Sequence, residues 1–366
     1  SNGSKLDVSA GAALRLIAPA GAASADTHGV TDLGGTLSFT GDSVFLDTAF
    51  ALPSGKLTLN ATHDVVLGAN ATIDLSGRGI AFFDVTKFSW GGDLILSSTN
   101  GNIIQNAGSV IDVSAVNNAA GSISAKAIDA AHGQVSFAGA LRGSSTGDFD
   151  SGQFTVAAQN FGEFAALNAK LNDAGFFYAR SFDLRQGSLV VGDGVKARYV
   201  TVSVDQGSLA VNGRIDASGA KPGTIRLSAS GDLSLASNAV LDVHGNVLQT
   251  DSYGAAIEPN NTARVELTTT HGTMTLAAGA TIDMTSPDGV ARGKLELSAP
   301  RRGGAGGDGA GANDIAIDAR GPLNIRGASS IALNGFRTYD LPGGSIIDQA
   351  YLDSLHVDST QFINAA

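Results

Sequence analysis

Carboxylates carry the most regular chemistry in this chain. One phrase, apolar-Asp-apolar-Ser/Thr/His, appears as Leu6-Asp7-Val8-Ser9, Ile73-Asp74-Leu75-Ser76, Ile111-Asp112-Val113-Ser114, Ile215-Asp216-Ala217-Ser218, Leu241-Asp242-Val243-His244 and Ile282-Asp283-Met284-Thr285. Clustered carboxylates are what a β-helical polysaccharide lyase or hydrolase uses, with a catalytic pair held within roughly 5–9.5 Å. The steps between copies are 67, 38, 104, 26 and 41 residues. With a repeat of about 20 residues, most neighbours would fall more than one layer apart, beyond about 9 Å at ~4.8 Å per layer. Period-2 alternation turns Asp74, Asp112, Asp216, Asp242 and Asp283 to solvent, where each can accept hydrogen bonds from the Ser, Thr or backbone N–H groups of the following corner. They read as corner-makers before they read as catalysts.

The remaining chemical motifs are weaker. His28, His63, His132, His244, His271 and His356 show no compact ligand spacing, and His244 fills a Ser slot of the phrase, which marks a solvated surface residue. Gly304-Ala-Gly306-Gly-Asp-Gly309 matches GxGxxG without a βαβ unit around it. Gly303 to Gly311 fits a single copy of a calcium-binding nonapeptide that works only in tandem. No metal, nucleotide or other cofactor is expected. Trp90, beside Gly91-Gly92, reads as a plug inside a coil more than as a platform for a sugar. A net charge of −11 excludes a phosphate-backbone partner, so no nucleic acid is expected. No apolar run approaches the ~18 residues of a membrane span.

The elements that must carry these residues come from a second phrase, Gly-x-φ-x-φ with φ apolar. It reads Gly35-Thr-Leu37-Ser-Phe39, Gly55-Lys-Leu57-Thr-Leu59, Gly92-Asp-Leu94-Ile-Leu96 and Gly121-Ser-Ile123-Ser-Ala125, and it recurs to Gly321-Pro-Leu323-Asn-Ile325. Leu37 to Leu57 and Leu189 to Leu209 are 20 residues apart, and Ile225 to Leu233 is 8. Short strands at these steps predict an all-β fold, a right-handed parallel β-helix of roughly 13–16 coils of about 20 residues, with glycines at sharp corners where φ can turn positive. The stack would be about 60–75 Å long. A charged fraction of 16%, against about 25% in an ordinary domain, fits thin apolar cores edged by Ser, Thr and Asn. Cysteine is absent, which suits an exported repeat chain threaded through a pore before folding and equally suits chance in an Ala/Gly-rich chain.

Three segments break the pattern. Phe161 to Ala174 places Phe164, Leu167 and Leu171 at helical spacing before Gly175, and predicts a short helix packed on the coils. It leads into Phe176-Phe177-Tyr178-Ala179-Arg180, the most aromatic stretch of the chain. The tail from Phe336 carries Ile347, Tyr351 and Leu355 at helical spacing, with Ser345 and Asp348 as a loose capping box. It predicts a helix that covers the edge of the last coil or, alternatively, binds a partner, dividing the chain into a β-helix over 1–335 and a capping segment over 336–366. Loops at Val247 to Asn261 and Arg301 to Gly311 leave the coils, and binding concentrates on such loops. Tyr253 and Glu258, with Trp90, Phe336 and Tyr339, are therefore the candidate interaction residues. Ser1-Asn2-Gly3 reads as a cloning scar ahead of a fragment.

With these repeats in view, the chain resembles the filamentous haemagglutinin-like exoproteins, the passengers of bacterial two-partner secretion. The resemblance spans the chain and rests on the xIDxSG…GGxIxLxA grammar. It rests also on Phe182-Asp-Leu-Arg-Gln-Gly-Ser-Leu189, Asp216-Ala-Ser-Gly-Ala-Lys-Pro-Gly223 and Asn334-Gly-Phe-Arg-Thr-Tyr339. The Asn-Pro-Asn signatures of the secretion domain are absent, which points to a shaft or distal module. The resemblance implies a secreted protein on the surface of a Gram-negative bacterium, exported through an outer-membrane transporter. It would serve in adhesion, biofilm or virulence, binding surface glycans or proteins without catalysis. The alternatives are a polysaccharide-active β-helix enzyme and a ligand-free spacer of a contact-dependent toxin carrier.

Overall fold

Alternation makes the strands: in Lys56–Ala61, Leu57, Leu59 and Ala61 are buried while Lys56 is exposed. The computed structural model describes residues 4–21, 26–302, 314–319, 321–339, 341 and 346–365. The molecule is mostly β: the chain visits one long sheet and two shorter parallel sheets in turn, each of the shorter ones in two parts, the first parts ending at Phe137 and Arg142 and the second parts beginning at Leu189 and Val195. The long sheet has thirteen strands. Its parallel strands are Lys5–Ser9, Thr36–Gly41, Lys56–Ala61, Asp93–Ser98, Ser122–Ala127, Gln153–Ala158, Ala179–Leu184, Tyr199–Val204, Thr224–Ala229, Arg264–Thr269, Gly293–Arg302 and Ala328–Phe336. Register aligns one inward column from Leu57 through Leu94, Ile123, Phe154, Arg180, Val200, Ile225 and Val265 to Leu295. Among the described residues this sheet holds twelve parallel strands, where the sequence predicts roughly 13–16 coils. A repeat takes 20 residues from Arg180 to Val200 but 40 from Ile225 to Val265, because some corners carry excursions.

Most repeats add one strand to each of two shorter sheets. In the third repeat they are represented by Val65–Leu67 and Thr72–Asp74, and Leu57, Leu67 and Ile73 meet in one apolar cluster that runs along the chain. Each fully buried Leu or Ile contributes about 1.5–3 kcal/mol, so stability accumulates layer by layer.

The repeat glycines are required mainly for close approach. Gly55, Gly92 and Gly121 do not adopt positive φ. A Cβ on Gly92 would lie 2.1 Å from the Gly55 carbonyl oxygen, and one on Gly121 would lie 1.8 Å from that of Gly92. The corners stack backbone on backbone.

Helix α1, Phe164–Asp173, stands where other repeats place their two short strands, as the Phe164 periodicity predicts. The second and third sheets therefore stop at Val135–Phe137 and Ala140–Arg142 and resume at Leu189–Val191 and Val195–Lys196. Phe164, Asn168 and Leu171 face the core, and Gly175 closes the helix at φ +78°. Lys170 donates to the Phe137 and Gly139 carbonyls at 2.5 and 2.9 Å, and Asn172 donates to Gly194 at 2.8 Å, so α1 ties the two sheet ends together.

Arg180 takes the core slot between Phe154 and Val200 and is 1% exposed. It donates to the Phe176 carbonyl (2.9 Å), Asn168 Oδ1 (3.1 Å) and Asn172 Oδ1 (2.7 Å); Asn168 lies in mid-helix, while Asn172 and Phe176 lie at and just beyond the negative C-terminal end of α1. Burial lowers its guanidinium to about 10, and it stays charged at neutral pH.

At the other end of the chain, α2 spans Gln349–Ala365. Asp348 itself is the N-cap, accepting from Tyr351 N at 2.8 Å. Ser345, its expected partner, lies outside the described residues. Asp358 holds Arg337 at 2.9 Å and the Tyr339 hydroxyl, and Arg301 lies 4.7 Å over the Phe362 ring. The helix anchors beside the end of Ala328–Phe336 and does not cover that strand, whose Ile331 and Leu333 remain 52% and 58% exposed.

Gly121→Ala should cost about 1–3 kcal/mol through forced backbone displacement, read as a lowered denaturation midpoint with unchanged m-value. Arg180→Leu restores an apolar slot but strands two buried acceptors, the Phe176 carbonyl and Asn168 Oδ1, at about 1–3 kcal/mol each, and the part-buried Asn172 Oδ1. A net loss of at least about 2 kcal/mol in urea unfolding is expected, and a Leu variant as stable as the parent would refute this account of α1.

Candidate functional site

The aspartate phrase makes corners, but in a setting the sequence reading did not foresee. Asp74 pairs in register with Asp112, and Asp216 with Asp242 and then Asp283, so these carboxylates occupy consecutive layers. The 38- and 41-residue steps contain excursions, not extra layers. Asp74, Asp112 and Asp242 are buried, against the expected solvent exposure, because the corner following each strand folds over them. Asp7 belongs to the large sheet, opposite Ser38, and is not a copy of this corner.

Each buried carboxylate is consumed locally. Asp74 Oδ1 accepts from Ser76 N and Oγ at 3.1 and 2.6 Å, and the same turn recurs at Ser114, Ser218 and Thr285. Arg78 reaches Asp74 Oδ2 at 2.9 Å while also donating to the Thr27 and Val30 carbonyls at 3.0 Å. Burial raises the Asp74 pKa, but Ser76 and Arg78 outweigh it and leave it below the ordinary value. Arg142 pairs with Asp112 at 3.4 Å, and Arg214 pairs with Asp242. His244, half-buried and not a free surface residue, holds Asp242 through Nδ1 at 2.6 Å and Asn246 through Nε2 at 2.8 Å. No group of three His, Cys, Asp or Glu is placed to hold a metal among the described residues.

Beyond these aspartates the chain returns to the large sheet, and here the excursions leave. They are the hairpin Gly79–Phe82/Val85–Phe88, the loops at 115–120, 144–151 and 217–222, the loop at 245–262 and the turn at 285–292. Hydrogen bonds join them into one edge. Asn118 donates to the Phe88 carbonyl at 2.8 Å, Ser145 to Asn118 at 2.6 Å, and Phe177 N to Ser151 Oγ at 3.1 Å. Arg198 N donates to the Phe177 carbonyl at 2.9 Å, Asn246 N to Gly219 at 2.7 Å, and Arg292 Nε to Glu258 at 3.1 Å.

From Gly79 to Arg292 the exposed large apolar side chains are Phe82, Phe83, Val85, Trp90, Val116, Phe149, Phe177, Val190, Val247, Tyr253 and Val290, and all but Val190 belong to this edge. Phe83 is fully exposed at the hairpin tip with φ +53°, a left-handed conformation that costs a bulky residue energy.

The residues singled out from sequence fall in two places. Trp90 is 59% exposed and plugs no coil; its carbonyl accepts from Ser54 Oγ at 2.6 Å. Tyr253 is 94% exposed on the loop that Glu258 pins to Arg292. Phe336 ends the last strand, and Tyr339 is engaged with Asp358. The edge unites Trp90 with Tyr253 and Glu258, while Phe336 and Tyr339 lie by α2. Gly303 to Gly311 lies outside the described residues.

Sequence reasoning missed the hairpin tip and a groove of about 520 Å³ midway along the edge. Asp148, Asp150, Phe177, Lys196, Arg198 and Lys221 line it. Lys196 Nζ lies 5.6 Å from the Phe177 ring centroid, and the Arg198 guanidinium lies 4.9 Å from that of Tyr199. The aromatic run at Phe176–Tyr178 was the available signal.

Among known proteins, no family model, no curated sequence and no solved structure matches this chain. No helix among the described residues is long and apolar enough to cross a membrane.

Burial pulls His244 down, but the hydrogen bond and charge of Asp242 prevail and raise it above its ordinary 6.5. A raised folded pKa gives stability that is full below about pH 6.5 and fades as pH rises through the folded value. His244→Ser restores the repeat residue. Its stability deficit in denaturant melts should be larger at pH 5 than at pH 9, and a deficit independent of pH would remove the His244–Asp242 ion pair from the account.

Proposed function

We propose that the three parallel sheets are the faces of a right-handed β-helix, and that this chain is a secreted module of the filamentous haemagglutinin-like kind. It serves as shaft and adhesin at the surface of a Gram-negative bacterium, exported through an outer-membrane transporter. Parallel strands joined through successive sheets favour right-handed crossovers, which supports the handedness. The observation that carries the function is the segregation of the exposed aromatic residues onto one edge, above a core whose register is undisturbed. Aromatic side chains on held loops suit contact with surface glycans or proteins. The buried aspartates, each spent on a corner and a cation, support a structural role over a catalytic one.

The test is attachment of the purified chain to cells and glycan arrays. Phe82→Ser with Phe83→Ser, and separately Tyr253→Ser, should weaken attachment. Stability should stay within about 0.5 kcal/mol, as for exposed positions. Attachment unaffected by any of these changes, or absent from the parent, would return the chain to a spacer; cleavage of a polysaccharide by the parent would make it an enzyme.

A further inference from the structure

The groove beside Phe177 has a chemistry of its own. In a chain of net charge −11, it gathers Lys196, Arg198 and Lys221, and no carboxylate pairs with any of the three among the described residues. Among the described residues the Arg198 side chain makes a long contact with the Pro222 carbonyl at 3.5 Å and a ring contact with Tyr199. Lys196 leans over Phe177, whose backbone is fixed by Ser151 Oγ on one side and Arg198 N on the other. Among the described residues, Asp148 and Asp150, exposed on the same groove, are in no ion pair either. Asp216 lines it too, with Oδ1 already committed to Ser218 at 2.6 Å.

Cations free of carboxylate partners beside the partly exposed edge of an aromatic ring, which Lys196 and Arg180 already flank at 5.6 and 5.8 Å, favour an anion attached to a flat apolar body, and carboxylates nearby favour hydroxyl donors. A pyranose bearing a carboxylate has all three. Its C–H face would lie on Phe177, its carboxylate would meet Lys196, Arg198 and Lys221, and its hydroxyls would donate to Asp148 and Asp150. The volume, about 520 Å³, falls within the range of small-ligand sites, about 300–1,000 Å³.

We propose that this groove is a binding site for a carboxylated saccharide, of the uronic or sialic acid type. The proposal rests on reading the loop edge as adhesive and names the ligand class of one site on it. The same carboxylate could be offered by a free sugar or by a residue within a polysaccharide.

Calorimetric titration of the full chain with galacturonate, with its trimer and with the matching neutral trisaccharide tests the idea. Binding of the acidic sugars, weakened by salt and absent with the neutral one, is expected; a trimer much tighter than the monomer assigns the site to polysaccharide, and equal affinities assign it to free sugar. Phe177→Ala, and Lys196→Gln with Lys221→Gln, should each weaken binding about tenfold or more, while circular dichroism and melting stay as in the parent. Equal affinity for the neutral trisaccharide, no binding at all, or variants that bind like the parent would overturn the proposal. Those results alongside attachment still sensitive to Phe82, Phe83 and Tyr253 would overturn the groove alone and leave the adhesive edge standing.

Discussion

Parallel register in the large sheet is the constraint on which everything else depends. Each of its strands satisfies the backbone of the next, and one inward column from Leu57 to Leu295, apolar but for Arg180, stays continuous only while that register is kept. A slip of one residue would turn Leu or Ile outward and Lys or Thr inward. Insertions are therefore tolerated only where the chain can leave and return without shifting a strand. The corner between the third sheet and the large sheet meets that condition, and the hairpin, the loops and their exposed aromatics collect there. A structural rule about where the chain can bulge thus becomes a rule about where the molecule can touch something else.

Arg180 shows how far this constraint extends. It holds a column position that Leu, Ile, Val or Phe fills elsewhere, and an unpaired cation there would be costly. The cost is offset by α1 and the turn beyond it, which offer Asn168, Asn172 and the Phe176 carbonyl to the guanidinium. The helix replaces two strands, interrupts two sheets and leaves the third unbroken. It also delivers Phe177 to the groove, so a buried charge and an exposed aromatic share one local cause.

The aspartate corners are the electrostatic counterpart of the apolar column. Stacked carboxylates on neighbouring layers repel, and the repulsion is relieved by Arg78, Arg142, Arg214 and His244 and by the hydroxyl two residues along. The ladders also end on cations in register, with Arg142 beyond Asp112 and with Lys196 before Asp216. Lys196 therefore faces both a ladder and the groove.

By itself the sequence determined the all-β character, the inward column, the place of α1 and the corner role of the aspartates. These follow from short-range physics: alternation, helical spacing at Phe164 and Leu171, and a Ser or Thr two residues after Asp. What only the tertiary structure decided was which corner follows which. The 38 residues from Asp74 to Asp112 look like two coils but are one layer with a hairpin, because strand pairing, not chain length, sets adjacency. Burial of Asp74, exposure of Trp90 and the meeting of Phe177 with Lys196 and Lys221 depend on that adjacency. Lys221 is 44 residues from Phe177 in the chain, and the stacking of layers is what brings them to one groove.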